Sequence, residues 1–356
     1  MLLENPLVHD NIEYMNTGGV EPKTFKTETG EAAAIRLPRT YDVDLLVRDL
    51  ETLKNIPGAA QPGPYHAGEW TGVALHSSGG KQSADPSAAA LDSYRATEAL
   101  EHAPYYKSIL DELECPKEVV RILSLPPGGH IKDHYDYHTN FQYGLIRLHL
   151  PIVTHPDVVF VIAGQRVVWN AGELWYGDFS KVHSVKNNSP ITRIHMVIDV
   201  QINDFVLGLF PEDYVEKKRA AGISITRHAM SAAEADLRRF LCDFQIPGEF
   251  MPMFTLGKKL RSLIKGAPAA VRLIDKRLVV LLNNEPSFAL ERVSEDTFTI
   301  VGLSAGVTLQ FRDDGKQIRE VLLHLKGLPK DLYMARVGYY QGPPLADRSV
   351  SLPIVE

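Results

Sequence analysis

The middle of the chain alternates short apolar runs with residues that favour turns. Between residues 118 and 202, runs such as "GLIRLHLPIV", "VVFVIAG" and "RIHMVIDVQI" are separated by Gly, Pro, Asn and Asp. Many short runs rich in β-branched residues, joined by tight turns, are typical of antiparallel sheets. This pattern predicts a β-sandwich or jelly roll and not an alternating α/β fold.

The flanking regions have other patterns. The first 105 residues are rich in turn formers, while "SAAEADLRRFLCDF" is compatible with a helix and carries a Ser-x-x-Glu capping box starting at Ser231. The stretch "FTLGKKLRSLIKG" predicts a further helical segment with a solvated charged face, and strand-like runs return after residue 268. The predicted parts are a jelly-roll domain with an N-terminal lid-like segment over 1–208, a helical linker region over 209–265 and a small antiparallel β accessory domain over 266–356.

Composition excludes some classes of function. The 356 residues carry a formal net charge of −6 and a pI near 6.1, so there is no global basic surface for nucleic acid. No run of eighteen apolar residues occurs, and the first residues do not resemble a signal peptide, so we expect a cytoplasmic protein without a membrane partner. Cys115 and Cys242 lack the paired spacing of a zinc site and are interpreted as packing residues.

One segment is rich in potential metal ligands. "GGHIKDHYDYHTN", residues 128–140, holds three histidines and two aspartates. In an extended strand His134 and Asp136 point the same way, which gives two members of a 2-His-1-carboxylate facial triad for Fe(II). His183 in "GDFSKVHSVKNNS" is the candidate third ligand. Arg193 follows ten residues later, and its planar guanidinium suits the distal carboxylate of 2-oxoglutarate.

The motifs over roughly residues 64–202 resemble the iron- and 2-oxoglutarate-dependent aspartyl/asparaginyl β-hydroxylase family, which includes bacterial free-proline hydroxylases. The resemblance is carried by "VVRILSLPPGGHIKDHYD", "LIRLHLPIVTHPDVVFVIAG", "GELWYGDFSKVHSVKNNS" and "RIHMVID". The expected fold is therefore mainly β: a double-stranded β-helix (jelly roll, cupin-like) core with flanking helices, plus a small C-terminal α+β domain.

The resemblance also implies a function and its residues. Hydroxylation of an unactivated C–H bond in an amino acid or amino-acid-derived substrate is implied, with Fe(II) as cofactor, 2-oxoglutarate and O2 as co-substrates, and release of succinate and CO2. Asp136 favours a small-molecule substrate. The implied iron ligands are His134, Asp136 and His183, the implied anchor of the distal carboxylate is Arg193, and the implied further co-substrate contacts are Arg147 and His149.

The substrate contacts have structural alternatives. The candidates are His138, Tyr137, Asn140 and Trp175. His138 and Asn140 would instead cap a turn, and Trp175 would instead be a core aromatic residue. For Arg147 and His149, which alternate with leucines and so share one face of a strand, the alternative is a structural salt bridge.

Three other functions stay open. One is a hydroxylase acting on a peptide or carrier-bound residue, and another is a cupin-type metal-dependent isomerase or hydrolase, which would have no reason to keep Arg193 and Arg147 as dicarboxylate anchors. The third is a non-enzymatic binding protein that uses its C-terminal domain, whose sequence resembles small β-domains appended to some bacterial serine hydrolases. That domain is also a candidate surface for a homodimer.

Overall fold

Two antiparallel sheets form the first part of the protein in the computed structural model. The structure describes residues 24–26, 32–61, 66–67, 69–83, 85, 89–136, 139–246, 267–325 and 334–338. Within them the strands of the first part are β1 (Thr24–Lys26), β2 (Ala32–Thr40), β3 (Ala59–Ala60), β4 (His66–Ala67), β5 (Thr71–Ser78), β6 (Tyr94–Ala96), β7 (Lys117–Leu125), β8 (His130–His134), β9 (Leu145–Val153), β10 (Val158–Ile162), β11 (Gln165–Val167), β12 (Glu173–Gly177), β13 (His183–Asn187) and β14 (Arg193–Gln201).

The sheet orders define a sandwich. The larger sheet runs β1-β2-β12-β9-β14-β7-β5-β3, with β6 paired to β5, and the smaller sheet runs β11-β10-β13-β8-β4. Apolar side chains from both sheets meet in one cluster, including Leu125 and Trp175 from the larger sheet and Phe160 and Val185 from the smaller. This arrangement confirms the predicted mainly β, jelly-roll fold class.

Alternation along the central strands decides what each face of the larger sheet carries. In β14, Met196 and Ile198 are buried in a cluster that also holds helical residues, whereas Arg193, His195 and Asp199 lie on the opposite face. The same alternation in β9 separates Leu148 and Leu150 from Arg147 and His149. The polar residues of both strands therefore point into the sandwich.

Helices cover the outer face of the larger sheet. The helices on this side are α1 (Val43–Thr52), α2 (Glu98–Glu101), α3 (Pro104–Glu112), α4 (Asp204–Leu207) and α5 (Glu212–Ala221). A further helix, α6 (Glu234–Leu237), packs against the C-terminal part instead. The fully buried carboxylate of Asp49 in α1 accepts hydrogen bonds from the backbone N–H groups of Tyr105 and Tyr106, at 2.6 and 3.1 Å. These N–H groups belong to the first turn of α3 and have no partner within the helix, so this contact fixes α1 against α3.

A third sheet follows in the C-terminal part. Its strands are β15 (Cys242–Ile246), β16 (Ala267–Ile274), β17 (Arg277–Leu282), β18 (Glu285–Arg292), β19 (Thr297–Ile300), β20 (Val307–Asp313), β21 (Ile318–Leu325) and β22 (Met334–Gly338). They pair in chain order, and β15 also contacts β22, so the sheet resembles a barrel. The barrel core contains Phe240, Phe288, Phe298 and Phe311.

Two details between residues 209 and 266 differ from the sequence expectations. Ser231 is not the N-cap: α6 begins after Ala233, without a side-chain capping bond, and ends at Leu237. The apolar residues Cys242, Phe244 and Ile246 alternate with more exposed ones, so this stretch forms β15 and not a helix, and the third sheet begins before residue 266. The stretch "FTLGKKLRSLIKG" lies outside the described residues.

The third sheet contacts the sandwich through backbone hydrogen bonds. Gly306 N–H donates to the carbonyl of Tyr143 at 2.7 Å, and Ala90 bonds to Val301 and Ala289, both at 2.8 Å. A Cβ atom on Gly306 would lie 2.9 Å from Cα of Tyr143, so this close approach requires glycine. The division into three domains stays a prediction. Across the described part of the chain, no helix is both long and apolar enough to span a membrane.

Candidate metal centre

Two adjacent strands of the smaller sheet bring the candidate ligands together. His134 ends β8, His183 begins β13, and the two residues are paired across the strands with ring centroids 4.1 Å apart. Asp136 lies two residues beyond β8, where its N–H donates to the carbonyl of Phe179 at 2.8 Å. One ligand atom from each of these residues lies within 4.8 Å of the others, in the only such group among the described residues.

The protonation states suit metal binding. Nδ1 of His134 and Nδ1 of His183 each lie within hydrogen-bond distance of a backbone carbonyl, at 2.7 and 2.9 Å, which places the proton on Nδ1 and the lone pair on Nε2. Burial lowers the pKa of His183 to about 4. Burial opposes ionisation of Asp136, but Arg147 and the two histidines hold its pKa below the usual value. Two imidazoles and one carboxylate are the donor set of a facial triad, so these residues fit Fe(II).

Arg147 holds the candidate carboxylate ligand. Its Nη1 donates to Oδ2 of Asp136, while Nε and Nη2 donate to the two oxygens of Asp199 at 2.6 and 3.0 Å. Arg121 lies beside this pair, with Nη2 3.7 Å from Asp199 and Nη1 donating to Gln61 at 3.1 Å. The guanidinium of Arg147 thus binds two carboxylates. This is the structural salt bridge that the sequence left open as the alternative to a co-substrate contact.

A second polar group surrounds Arg193. This arginine is buried and has no carboxylate partner among the described residues, and its Nη2 donates to Nδ1 of His195 at 2.9 Å. Its guanidinium carbon lies 5.6 Å from the ring centroid of Phe160. Burial lowers the pKa of Arg193 to about 9. A buried cation without a counter-charge is unfavourable, so this position suits an anion.

Several polar atoms around Arg193 also lack partners. Nε of Arg193, Nε2 of His149, Nε2 of His195 and Nε1 of Trp169 are buried and make no hydrogen bond within the described structure. Burial, reinforced by Arg193, lowers the pKa of both histidines well below 6.5, so both are neutral. His149 stacks on Phe179 at 4.8 Å, and Phe179 contacts His183 edge-on at 4.9 Å. The unpaired group therefore adjoins the candidate metal centre.

The remaining sequence-predicted contacts are placed differently. Tyr137 and His138 lie outside the described residues. Oδ1 of Asn140 accepts a hydrogen bond from Tyr143 N–H at 2.9 Å, which closes a turn. Trp175 is 2% exposed, its indole N–H donates to Glu173 at 3.0 Å, and its ring stacks on another tryptophan. Asn140 thus closes a turn and Trp175 lies in the core. These are the structural roles that the sequence left open as alternatives to substrate contacts.

Sequence reasoning missed three polar residues at the site: Arg121, Trp169 and Asp199. For Asp199 a signal existed, because it continues the alternation that begins with Arg193 and His195 in β14. Trp169 lies between β11 and β12, and its sequence neighbours do not reveal that its indole N–H is buried without a partner.

Comparisons with known proteins agree with this geometry. The model of the aspartyl/asparaginyl beta-hydroxylase family matches residues 43–202, which contain all three candidate ligands and Arg193. L-proline cis-4-hydroxylase of Rhizobium meliloti (strain 1021) is 24% identical over 177 residues, which cover 49% of this chain and 61% of the relative. The chain thus spans less than two thirds of that relative's length.

Two solved structures of oxygenases have low similarity to this chain. A 2OG-Fe(II) oxygenase family oxidoreductase from Burkholderia pseudomallei has a TM-score of 0.36 and 13% identity, covering 48% of this chain and 85% of its own. A Pseudomonas putida prolyl-4-hydroxylase has a TM-score of 0.33 and 12% identity, covering 48% and 93%.

The fold and the site define a jelly-roll protein with a His-x-Asp…His candidate metal centre. The similarity to the aspartyl/asparaginyl β-hydroxylase family, first indicated by the motifs, is confirmed for residues 43–202.

Proposed function

We propose that this protein is an Fe(II)- and 2-oxoglutarate-dependent dioxygenase that hydroxylates an amino acid or an amino-acid-derived substrate. One observation carries the proposal: a buried arginine without a carboxylate partner among the described residues, Arg193, adjoins a group of two histidines and one aspartate, the donor set of a facial triad. When bound, ferrous iron with 2-oxoglutarate and O2 supplies oxidising power for C–H hydroxylation, with succinate and CO2 as co-products.

Each polar residue has a role in this proposal. His134, Asp136 and His183 bind one face of the iron, and Arg147 keeps the Asp136 carboxylate oriented. Arg193 binds the distal carboxylate of 2-oxoglutarate through charge-assisted hydrogen bonds. His149, whose ring centroid lies 5.7 Å from that of His195, is the further candidate contact.

Positioning and water exclusion come from neighbours of these residues. His195 accepts a hydrogen bond from Arg193 through Nδ1 and so fixes the plane of the guanidinium. The aromatic rings of Phe160 and Phe179 pack against Arg193 and His149 respectively, which keeps water from the co-substrate pocket. In an isomerase or hydrolase of the cupin type, the buried charge of Arg193 would have no dicarboxylate to bind.

The similar protein indicates which substrates to test first. Because the similar protein is an L-proline cis-4-hydroxylase, free L-proline is the first candidate substrate. Other free amino acids come next, followed by carrier-bound and peptide residues. Asp136, which supplies the carboxylate of the triad, favours the small-molecule branch of the family.

The test is a substrate panel with two readouts. Protein reconstituted with Fe(II) is incubated with 2-oxoglutarate, labelled dioxygen and single amino acids, starting with L-proline, and then with peptides. We expect mass spectrometry to find one labelled oxygen atom in one substrate and an equivalent amount of succinate. His183→Ala is the matched inactive control. Absence of both 2-oxoglutarate binding and succinate formation across the panel would overturn the proposal.

A further inference from the structure

Trp169 is part of the wall around Arg193. It is 5% exposed, and its ring centroid lies 5.1 Å from that of His149, 6.2 Å from His195 and 4.7 Å from Phe160. Phe160 in turn packs against the guanidinium of Arg193. The indole is therefore surrounded by the side chains that enclose the proposed co-substrate pocket.

The indole N–H of Trp169 lacks a hydrogen-bond acceptor within the described structure. An indole nitrogen only donates, and a buried donor without an acceptor is destabilising. Nε1 of Trp169 has no hydrogen-bond partner within the described structure, whereas Nε1 of its stacked neighbour Trp175 donates to Glu173. Of these two stacked, buried tryptophans, one thus donates to a protein acceptor, and the other is left for an acceptor that is not a protein group.

The neighbouring unpaired atoms indicate what that acceptor is. Nδ1 of His195 accepts from Arg193, so Nε2 of this neutral histidine carries its proton and is a second unpaired donor. Nε of Arg193 is a third. Three donors in one buried group, with no carboxylate partner for the arginine among the described residues, match an anion with several acceptor lone pairs, and a carboxylate has this property.

We propose that the indole N–H of Trp169 donates a hydrogen bond to the distal carboxylate of the dicarboxylic co-substrate, beside Arg193. Trp169 then helps this site to distinguish a 2-oxo dicarboxylate from a 2-oxo monocarboxylate, because the monocarboxylate would leave the buried donor unpaired. This inference rests on the proposed function, since it assigns a further contact to the same co-substrate.

The first test is measured on the unaltered protein, and variants serve only to assign its signals. The chain contains three tryptophans, Trp70, Trp169 and Trp175, so isotope labelling of the indole nitrogens gives three N–H signals in an NMR spectrum. Their assignment follows from Trp70→Phe and Trp175→Phe. In Zn(II)-loaded protein, 2-oxoglutarate should move the Trp169 proton signal downfield, whereas 2-oxopentanoate, which lacks the distal carboxylate, should not.

The second test measures affinity by calorimetry on the Zn(II)-loaded protein. Trp169→Phe should weaken 2-oxoglutarate binding about tenfold or more, as expected for a lost hydrogen bond to a charged acceptor. The same variant should leave 2-oxopentanoate binding unchanged. Trp175→Phe is the matched control, because it alters the same aromatic stack without removing an unpaired donor.

The outcomes separate this inference from the proposed function. If the unaltered protein does not bind 2-oxoglutarate, the proposed function fails and this inference fails with it. If it binds and the Trp169 signal stays in place, or if Trp169→Phe weakens both ligands equally, only the assignment of Trp169 is overturned. A signal shift and an affinity loss that are both specific for the dicarboxylate support the inference.

Discussion

Arg147 and Asp199 lie directly opposite each other on neighbouring strands and form a two-pronged ion pair, with Nε to Oδ1 at 2.6 Å and Nη2 to Oδ2 at 3.0 Å. The remaining terminal nitrogen of Arg147 donates to Asp136. The orientation of the proposed carboxylate ligand therefore depends on a residue in β14, far from it in sequence. This chain of contacts gives Asp199 a measurable effect on metal binding.

We expect Asp199→Asn to weaken Fe(II) binding. The change keeps the shape of the side chain but removes the charge that holds Arg147, so Asp136 loses its fixed orientation, and a loss of about 10- to 100-fold in iron affinity is typical for such partners of a ligand. Because Asp199 is fully buried beside Arg121 and Arg147, the free energy of unfolding should also fall, by about 3–5 kcal/mol. Anaerobic iron titration and chemical denaturation measure the two effects.

Asp157→Asn is the control for this prediction, since Asp157 is an exposed carboxylate that pairs with His155 at the surface. It should change neither quantity. Unaltered iron affinity in Asp199→Asn would show that Asp136 is oriented without Arg147.

His183→Ala tests the proposed iron ligands directly. Removal of one of three protein ligands should abolish tight Fe(II) binding, and with it the weak visible charge-transfer band expected when iron and 2-oxoglutarate are both bound without O2. His155→Ala, which removes a half-buried histidine at a distance from the centre, should keep the band. A band of full intensity in His183→Ala would exclude this residue as a ligand.

Arg193→Lys tests the co-substrate anchor. A lysine is a point charge that does not reproduce the two-pronged contact of a guanidinium, so the apparent KM for 2-oxoglutarate should rise sharply. Iron affinity should stay nearly intact, because Arg193 contacts His195 and Phe160 and none of the three ligands. Arg166→Lys, an exposed substitution, is the control. Unchanged kinetics would place the anchor elsewhere.

The parts that the sequence predicts well are those encoded by local spacing. Alternation and turn residues predict the sandwich, and the His-x-Asp pair with His183 gives a group that the structure brings within 4.8 Å. The pairing of Arg147 with Asp199 was not predictable, because it depends on the register between β9 and β14, which no single stretch of sequence specifies.

Two errors in the C-terminal half have a physical explanation. The Ser-x-x-Glu pattern at Ser231 indicated a helix start, but tertiary contacts outweigh such a local preference, and α6 spans only Glu234–Leu237. The following apolar residues fit a helical and a strand period equally over so short a run. The pairing of β15 with β16 stabilises the strand over the helix.

The last prediction concerns the C-terminal barrel, which we expect to support the fold without supplying ligands. The described residues beyond 210 contain no further group of metal-ligating side chains. The barrel contacts the sandwich where Gly306 approaches Tyr143, whose turn begins at Asn140, four residues after Asp136.

Gly306→Ala would place a Cβ atom 2.9 Å from the backbone of Tyr143, so this contact must shift. We expect the free energy of unfolding to fall by about 1–3 kcal/mol, as for other overpacked interfaces, with unchanged iron affinity. Gly208→Ala, whose added Cβ meets only ordinary contacts from 3.4 Å, should have a smaller effect on stability. If Gly306→Ala lowers iron affinity while stability is retained, the barrel positions the ligand loop, and its role extends beyond support of the fold.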